Sequence, residues 1–117
     1  MIKYKKSKSF NVQIWIGLKS GYYGEEFAIN SVYDLCRKYV NEKKYCLTVT
    51  ETKFLYFKGE EHGIVIGLIN YPRFPINKKK ILKHAFNIGE MLLKELKQYR
   101  ISITTPDKTY MIENKDY

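Results

Sequence analysis

The chain has 117 residues, of which 44% are hydrophobic and 15% aromatic, and its formal net charge is +9. This length suits one domain with a single core, and this hydrophobic content excludes an intrinsically disordered protein. No apolar run approaches the ~20 residues that a membrane-spanning helix needs, so we expect no membrane partner and a cytoplasmic location, the host cytoplasm if the source is viral.

The first nine residues are predicted to form a flexible basic arm. They hold four lysines and no acid, with little hydrophobic periodicity. Residues 10–117 then form a single α+β domain. In the segment 12–18, aliphatic residues occupy every second position, and Trp15 and Gly17 lie on the alternate set. This alternation predicts a strand with one buried side.

The next segments predict a helix followed by two strands. A loop with two glycines, residues 19–24, leads into a helical pattern that ends near Val40, with Glu25 and Glu26 in its first turn. A strand from Cys46 to Phe57 follows, and its length suggests a bulge near Glu51. After a turn at residues 58–61, a third strand spans residues 62–71.

The remaining segments predict a second helix and two short strands. Asn77 is expected to cap a helix that continues to about Tyr99, and strands follow at 101–105 and 109–113. The order is therefore βαββαβ with a possible extra strand at the C-terminal end. Antiparallel strands with two helices on one sheet face give a ferredoxin-like sandwich.

The sheet face that the helices leave open is predicted to be an interface. Strand alternation places apolar side chains and glycines there, and an apolar face of this size usually has a partner. We expect a second copy of the protein, packed sheet to sheet, or a ligand lying on the aromatic rings. The expected interface residues are Trp15, Gly17, Val65, Gly67, Ile69 and Tyr71.

One short segment resembles a known family. Ile14-Trp15-Ile16-Gly17-Leu18 is similar to the first-strand motif of RNA recognition motifs, in which an aromatic residue stacks on a base, and the βαββαβ order matches as well. The third strand, residues 62–71, lacks the basic and aromatic pattern that supplies the family's other stacking rings. The resemblance implies RNA binding. An RNA- or single-stranded-DNA-binding module that uses the aromatic residues of the sheet and the basic arm is kept as the alternative function.

The start of the second helix breaks a local electrostatic rule. Lys78, Lys79 and Lys80 directly follow Asn77, although free N–H groups already make a helix start positive. A bound anion would compensate the three charges, and Arg73, between Pro72 and Pro75, would add a bidentate contact to a phosphate. The opposing interpretation is three solvated lysines in a lysine-rich chain, since only three of the 21 basic residues are arginine.

Catalytic, cofactor and metal signatures are absent from the sequence. Cys36 and Cys46 lack metal-ligand spacing and are expected to be buried thiols. His62 lies beside acids in a turn, and His84 is expected to face solvent. The third hypothesis is an enzyme that uses Glu51, His62 and Arg73. The sequence leaves enzymatic activity undecided and favours a non-catalytic protein.

The leading hypothesis is a homo-oligomeric, non-catalytic protein that binds a small phosphorylated ligand. A nucleotide or cyclic nucleotide fits best, and a phage or mobile-element sequestering factor is the suggested setting. The expected ligand-binding residues are Trp15, Tyr22, Tyr23, Arg73, Lys78, Lys79 and Lys80.

Overall fold

The computed structural model describes residues 1–20 and 26–115. In this part of the chain, five strands and two helices follow the predicted order. They are β1 (Val12–Gly17), α1 (Ile29–Lys43), β2 (Thr48–Tyr56), β3 (Gly59–Leu68), α2 (Lys78–Glu95), β4 (Arg100–Thr104) and β5 (Thr109–Glu113). The ferredoxin-like prediction, with its extra C-terminal strand, is confirmed.

The strands form one antiparallel sheet with β1 at its centre. The order across the sheet is β2-β3-β1-β4-β5. Ile14 pairs with Ile66 on β3 and with Ile103 on β4, and all three side chains are fully buried. The helices contribute Val32, Ile88 and further buried residues to the same core. The helices therefore cover the side of the sheet that the alternation in residues 12–18 predicted to be buried.

The hairpin of β2 and β3 is regular, so the predicted bulge near Glu51 is wrong. Nine pairs run without a break from Thr48 opposite Gly67 to Tyr56 opposite Gly59. The two-residue turn is possible because Lys58 adopts a positive φ of 58°. Since β1 pairs with β3 only as far as Gly63, the distal half of the hairpin projects beyond the rest of the sheet.

Helix α1 begins later than predicted, and the described Glu26 lies outside its first turn. Glu26 instead forms an antiparallel bridge with Lys19, and the Phe27 N–H donates to the Leu18 carbonyl at 2.7 Å. These sheet-like bonds hold the backbone extended, so the helix starts only at Ile29. Glu25 falls outside the described residues.

Helix α2 begins as predicted and ends earlier. Asn77 caps it, because its side-chain oxygen accepts from the Lys80 N–H at 2.9 Å. Lys97 takes a left-handed φ of 51°, which stops the helix after Glu95. Tyr99, where the helix was expected to end, therefore lies outside it and is 46% exposed.

The N-terminal segment has no regular secondary structure, and its end is bonded to the domain. The Ser7 hydroxyl donates to the Asn70 carbonyl at 2.7 Å, and the Asn70 side-chain amide donates to the Lys8 carbonyl at 2.9 Å. These contacts restrict Ser7 and Lys8, so the predicted flexible arm applies at most to the residues before them.

Two glycines of β3 differ in how much room they leave for a side chain. A Cβ at Gly63 would lie 2.8 Å from the Ile16 carbonyl oxygen and would overlap the Phe54 ring, whereas a Cβ at Gly67 would meet only the Thr48 side chain. We expect Gly63→Ala to lower the free energy of unfolding by about 1–3 kcal/mol, because backbone cannot move aside easily.

Gly67→Ala is the matched control in the same strand. Thr48 can rotate its hydroxyl away, so the expected loss is below about 1 kcal/mol. Urea denaturation followed by circular dichroism measures both variants. Equal losses would show that the close approach of Ile16 to Gly63 is unimportant.

Candidate ligand-binding sites

A cleft of about 390 Å³ lies where α1 ends, β2 begins, β3 leaves the sheet and α2 begins. We call it the basic cleft. Its lining combines lysine side chains with aromatic rings and a thiol. The main contributors are Lys43, Lys44, Tyr45, Cys46, Tyr71, Phe74, Lys80 and His84.

Local backbone features bring these residues together. Lys44 ends α1 in a left-handed conformation, φ 52°, and both its N–H and that of Tyr45 donate to the Val40 carbonyl. The chain therefore turns sharply and places Tyr45 beside α2. On the opposite side, the Asn70 side-chain oxygen accepts from the Ile76 N–H at 2.9 Å and shapes the loop that carries Tyr71.

Two pairs of rings line the basic cleft. Tyr45 stacks on His84 with centroids 4.1 Å apart, and Tyr71 lies 5.2 Å from Phe74. Burial, followed by the neighbouring Tyr71 hydroxyl, raises the pKa of Tyr45 to about 12. The buried Tyr45 hydroxyl has no hydrogen-bond partner among the described residues.

His84 lies close to several lysine side chains. Its Nδ1 atom is 2.7 Å from the Tyr39 hydroxyl oxygen, and the ring, expected to face solvent, is half-buried in the lining of the cleft. Burial first, and then the charges of Lys43 and Lys83, lower its pKa below the usual 6.5. A second cavity of about 360 Å³ adjoins the cleft and adds Lys83 to Lys43, Lys80 and His84.

The predicted anion-binding residues are only partly brought together. Lys80 lines the basic cleft, and Arg73 belongs to the exposed loop between Tyr71 and Phe74. Lys78 has its own neighbours, since its ammonium lies 4.0 Å from a carboxylate oxygen of Asp107 and 5.3 Å from the centre of the Phe10 ring. Lys79 is exposed. Tyr22 and Tyr23 lie outside the described residues.

Trp15 lies on the sheet face opposite the helices, as predicted, and so does not share a site with Lys80. Its neighbours across the strands are Val65 and Ser102. The indole N–H donates to the Thr104 hydroxyl at 3.0 Å, which fixes the half-buried ring against the sheet. We call this surface the open face.

The open face carries polar as well as apolar side chains, and side chains cover two of its glycines. Register places Gln13, Thr48 and Thr104 on it beside Trp15 and Val65. The Glu61 carboxylate covers Gly17, and the Thr48 side chain covers Gly67, so these glycines do not offer free space to a second copy. Of the other predicted interface residues, Ile69 and Tyr71 line the basic cleft.

A third cavity, of about 330 Å³, contains two residues of the enzyme hypothesis. Glu51 and His62 line it together with Glu26, whose carboxylate oxygen lies 4.0 Å from His62 Nε2. The hypothesis also needs Arg73, which follows the opposite end of β3 and is not part of this cavity. The structure therefore assembles two of the three proposed catalytic residues.

The cysteines differ from each other in burial. Cys36 is buried, which raises its thiol pKa to about 11, whereas Cys46 is exposed beside the basic cleft, so the expectation that it is buried is wrong. Within residues 1–20 and 26–115, no group of three metal-ligating side chains forms a metal site. No helix in that part of the chain is long and apolar enough to cross a bilayer.

Comparison with known proteins gives structural matches only. No protein-family model and no curated protein sequence matches the chain. A phage SAM lyase in complex with S-methyl-5'-thioadenosine matches with a TM-score of 0.77 and 14% identity, covering 100% of this chain and 98% of the lyase chain. A phage SAM lyase in the apo state matches with a TM-score of 0.71 and 17% identity, over 92% of this chain and 91% of the other.

The shared fold thus occurs in phage enzymes, one of which holds a nucleoside. At these identities the likeness shows the fold.

Sequence reasoning missed most of the basic cleft. Lys43, Lys44, Tyr45 and His84 were not proposed as ligand-binding residues, since only the packing of α1 against α2 brings them together. One usable signal was present: two lysines and a tyrosine, residues 43–45, stand together at the end of the first helix.

Tyr45→Phe tests whether the buried hydroxyl is unsatisfied. Because an unpaired buried hydroxyl carries a desolvation cost of about 1–3 kcal/mol, its removal is expected to leave the free energy of unfolding unchanged or to raise it. Tyr39→Phe is the control, since it breaks the contact with His84 and should cost about 1 kcal/mol. A loss for Tyr45→Phe as large as the control's would contradict the expectation.

The lowered His84 pKa predicts a pH dependence of stability. The unfolded chain binds the proton more readily, so His84's contribution is complete above the unfolded pKa of 6.5 and is lost as the pH falls below it. His84→Gln should therefore show a shallower fall of unfolding free energy than the unmodified protein between about pH 7.5 and 5. Urea titrations over this range measure the difference. Parallel curves of unfolding free energy against pH for the two proteins would show that folding does not lower the pKa of His84.

Proposed function

We propose that this protein binds a small nucleoside ligand of the S-adenosyl class. The observation that carries the proposal is the end-to-end structural likeness to a phage SAM lyase that holds S-methyl-5'-thioadenosine. Both chains are covered almost completely, so no extra domain in the neighbour accounts for its ligand. A phage protein acting in the host cytoplasm fits this proposal and the basic, lysine-rich composition.

Trp15 on the open face is the residue we assign to the nucleoside base. Stacking of a base on an aromatic ring contributes about 1–3 kcal/mol, and every base offers a flat surface for it. The bond from the indole to Thr104 holds the ring in place before a ligand arrives. A fixed ring loses little conformational entropy on binding.

Glu61 suits the cationic part of such a ligand. Its carboxylate covers Gly17, two residues along β1 from Trp15 and on the same side of the sheet. A sulfonium carries a positive charge, which both an aromatic ring face and a carboxylate attract. The neutral S-methyl-5'-thioadenosine lacks this charge, so S-adenosylmethionine is the ligand expected to depend on Glu61.

Cleavage of S-adenosylmethionine is the second candidate function, favoured by the name of both structural neighbours. S-methyl-5'-thioadenosine forms when the bond between sulfur and the amino-acid chain breaks and the bonding electron pair stays on sulfur, which neutralises the sulfonium. The carbon that loses sulfur forms a new bond to the carboxylate oxygen of the same amino-acid chain, which leaves as a lactone. The non-catalytic function expected from the sequence is thereby replaced by a proposal that includes turnover.

Self-association is part of the same proposal. Leu55 and Phe57, at the projecting end of the hairpin, are 75% and 89% exposed. Exposed apolar side chains on a projecting hairpin favour a contact with another copy of the chain. Light scattering at several protein concentrations gives the mass that tests it.

Trp15 provides its own test because it is the single tryptophan of the chain. We expect S-adenosylmethionine and S-methyl-5'-thioadenosine to quench its fluorescence saturably and to raise the melting temperature. Trp15→Leu should weaken binding about tenfold or more in calorimetry, whereas Tyr4→Ala, which removes a ring that is 93% exposed, should have no effect.

Turnover is measured in the same samples by chromatography. Release of S-methyl-5'-thioadenosine from S-adenosylmethionine, slowed in Glu61→Gln, would support the lyase function. Neither quenching nor a shift in melting temperature with either compound would refute the binding proposal. Binding without release would leave a nucleoside-binding protein and exclude the lyase.

A further inference from the structure

The basic cleft is separate from the site proposed above. Trp15 and Glu61 lie on the open face, whereas the cleft is lined by α1, α2 and the segments that connect them to the sheet. None of the residues that line the cleft belongs to β1 or to the part of the hairpin that carries Glu61. The charge and the rings of the cleft are therefore not explained by binding of a nucleoside at Trp15.

The charge of the cleft is locally unbalanced. Lys43, Lys44, Lys80 and Lys83 line it or its adjoining cavity, and none of the described carboxylates contributes to either lining. Elsewhere on the described surface, two lysines contact an acid: Lys53 lies 3.0 Å from Glu60 and Lys78 lies 4.0 Å from Asp107. Like charges gathered without acids repel one another, and a bound anion removes that repulsion.

The pKa of His84, a residue of the cleft lining, is sensitive to the charges of these lysines. Its ring is flanked by Lys43 and Lys83, which contribute to the lowering of its pKa, and by Tyr39 and Tyr45. The neutral imidazole adds no further positive charge to that of the lysines. The same ring, protonated, donates a charge-assisted hydrogen bond once an anion is present.

Aromatic surface lies beside the charge. Tyr45 and His84 form one stacked pair, and Tyr71 and Phe74, the latter 47% exposed, form another. The buried Tyr45 hydroxyl adds a polar group that has no hydrogen-bond partner among residues 1–20 and 26–115. A volume of about 390 Å³ lies within the range of small-molecule sites, about 300–1,000 Å³.

We propose that the basic cleft binds a small phosphate-bearing nucleotide, with the phosphate among Lys43, Lys80 and Lys83 and the base against the Tyr71 and Phe74 rings. Lysines recognise phosphate as point charges and the rings recognise the base, so neither free phosphate nor an unphosphorylated nucleoside satisfies the whole cleft. The ring pairs and the limited volume favour a mononucleotide over a nucleic-acid strand, which would need a continuous basic groove.

Calorimetric titrations with AMP, adenosine and inorganic phosphate test the ligand class. AMP is expected to bind most tightly. The double variant Lys80→Ala/Lys83→Ala should weaken AMP binding about tenfold or more, because both lost charges face the phosphate. Lys79→Ala/Lys94→Ala is the matched control: it removes the same charge from exposed positions of α2 that line neither cavity, and should change the affinity less than about twofold.

Phe74→Ala supplies an independent measurement for the base. It should weaken AMP binding while leaving the weak binding of inorganic phosphate unchanged. Circular dichroism and thermal unfolding establish that each variant is folded. Equal effects of the two lysine pairs, or AMP binding no tighter than inorganic phosphate, would overturn the proposal.

Titration with a single-stranded oligonucleotide that lacks a terminal phosphate shows whether the cleft prefers a nucleic-acid strand or a mononucleotide. Tighter binding of this strand than of AMP, lost equally in both lysine variants, would mean general polyanion binding and would also overturn the proposal.

The two proposed sites have separate readouts. AMP in the basic cleft should leave the Trp15 fluorescence unchanged and should bind normally to Trp15→Leu. It should raise the pKa of His84, measured by NMR of the imidazole, because an anion offsets the neighbouring lysines. An unchanged His84 pKa at saturating AMP would place the nucleotide elsewhere.

Discussion

The alternation of side chains along β1 is the constraint on which the rest of the structure depends. This strand is central, bonded to β3 on one side and to β4 on the other. Ile14 and Ile16 are buried under the helices, and every neighbouring strand must match that register. A slip by one residue would move Trp15 into the core and the isoleucines into solvent. The position of Trp15 on the open face is therefore fixed by the packing of its neighbours.

The same constraint separates two kinds of surface. Because the helices occupy one side of the sheet, the lysines at the end of α1 and the start of α2 can meet only on that side. The open face receives threonines, Gln13 and the Glu61 carboxylate around a single indole. One side thus offers a cationic environment and the other a fixed ring beside an acid. Ligands of opposite charge can be held apart on a small domain.

Local patterns predicted the fold well, and long-range packing decided what they missed. The alternation at Ile14, Ile16, Ile64 and Ile66 gave the correct covered face, and the cap at Asn77 gave the correct start of α2, because both depend on neighbouring residues. The basic cleft joins Tyr45 to His84, 39 positions further along the chain. Hydrophobic periodicity in the sequence does not indicate this long-range contact. Of the residues of the cleft, Lys80 was predicted as an anion ligand from a local run of lysines, and Tyr71 was assigned by strand alternation to the open face.

Cys46 gives the basic cleft a chemical handle. Its thiol is exposed at the cleft, whereas Cys36 is buried and its high pKa keeps it protonated and unreactive. Alkylating reagents therefore discriminate between the only two cysteines of the chain. A spin label or fluorophore attached at position 46 would occupy the cleft itself, without any engineered residue. The natural sequence already contains a single-site attachment point for covalent probes and fragment screening.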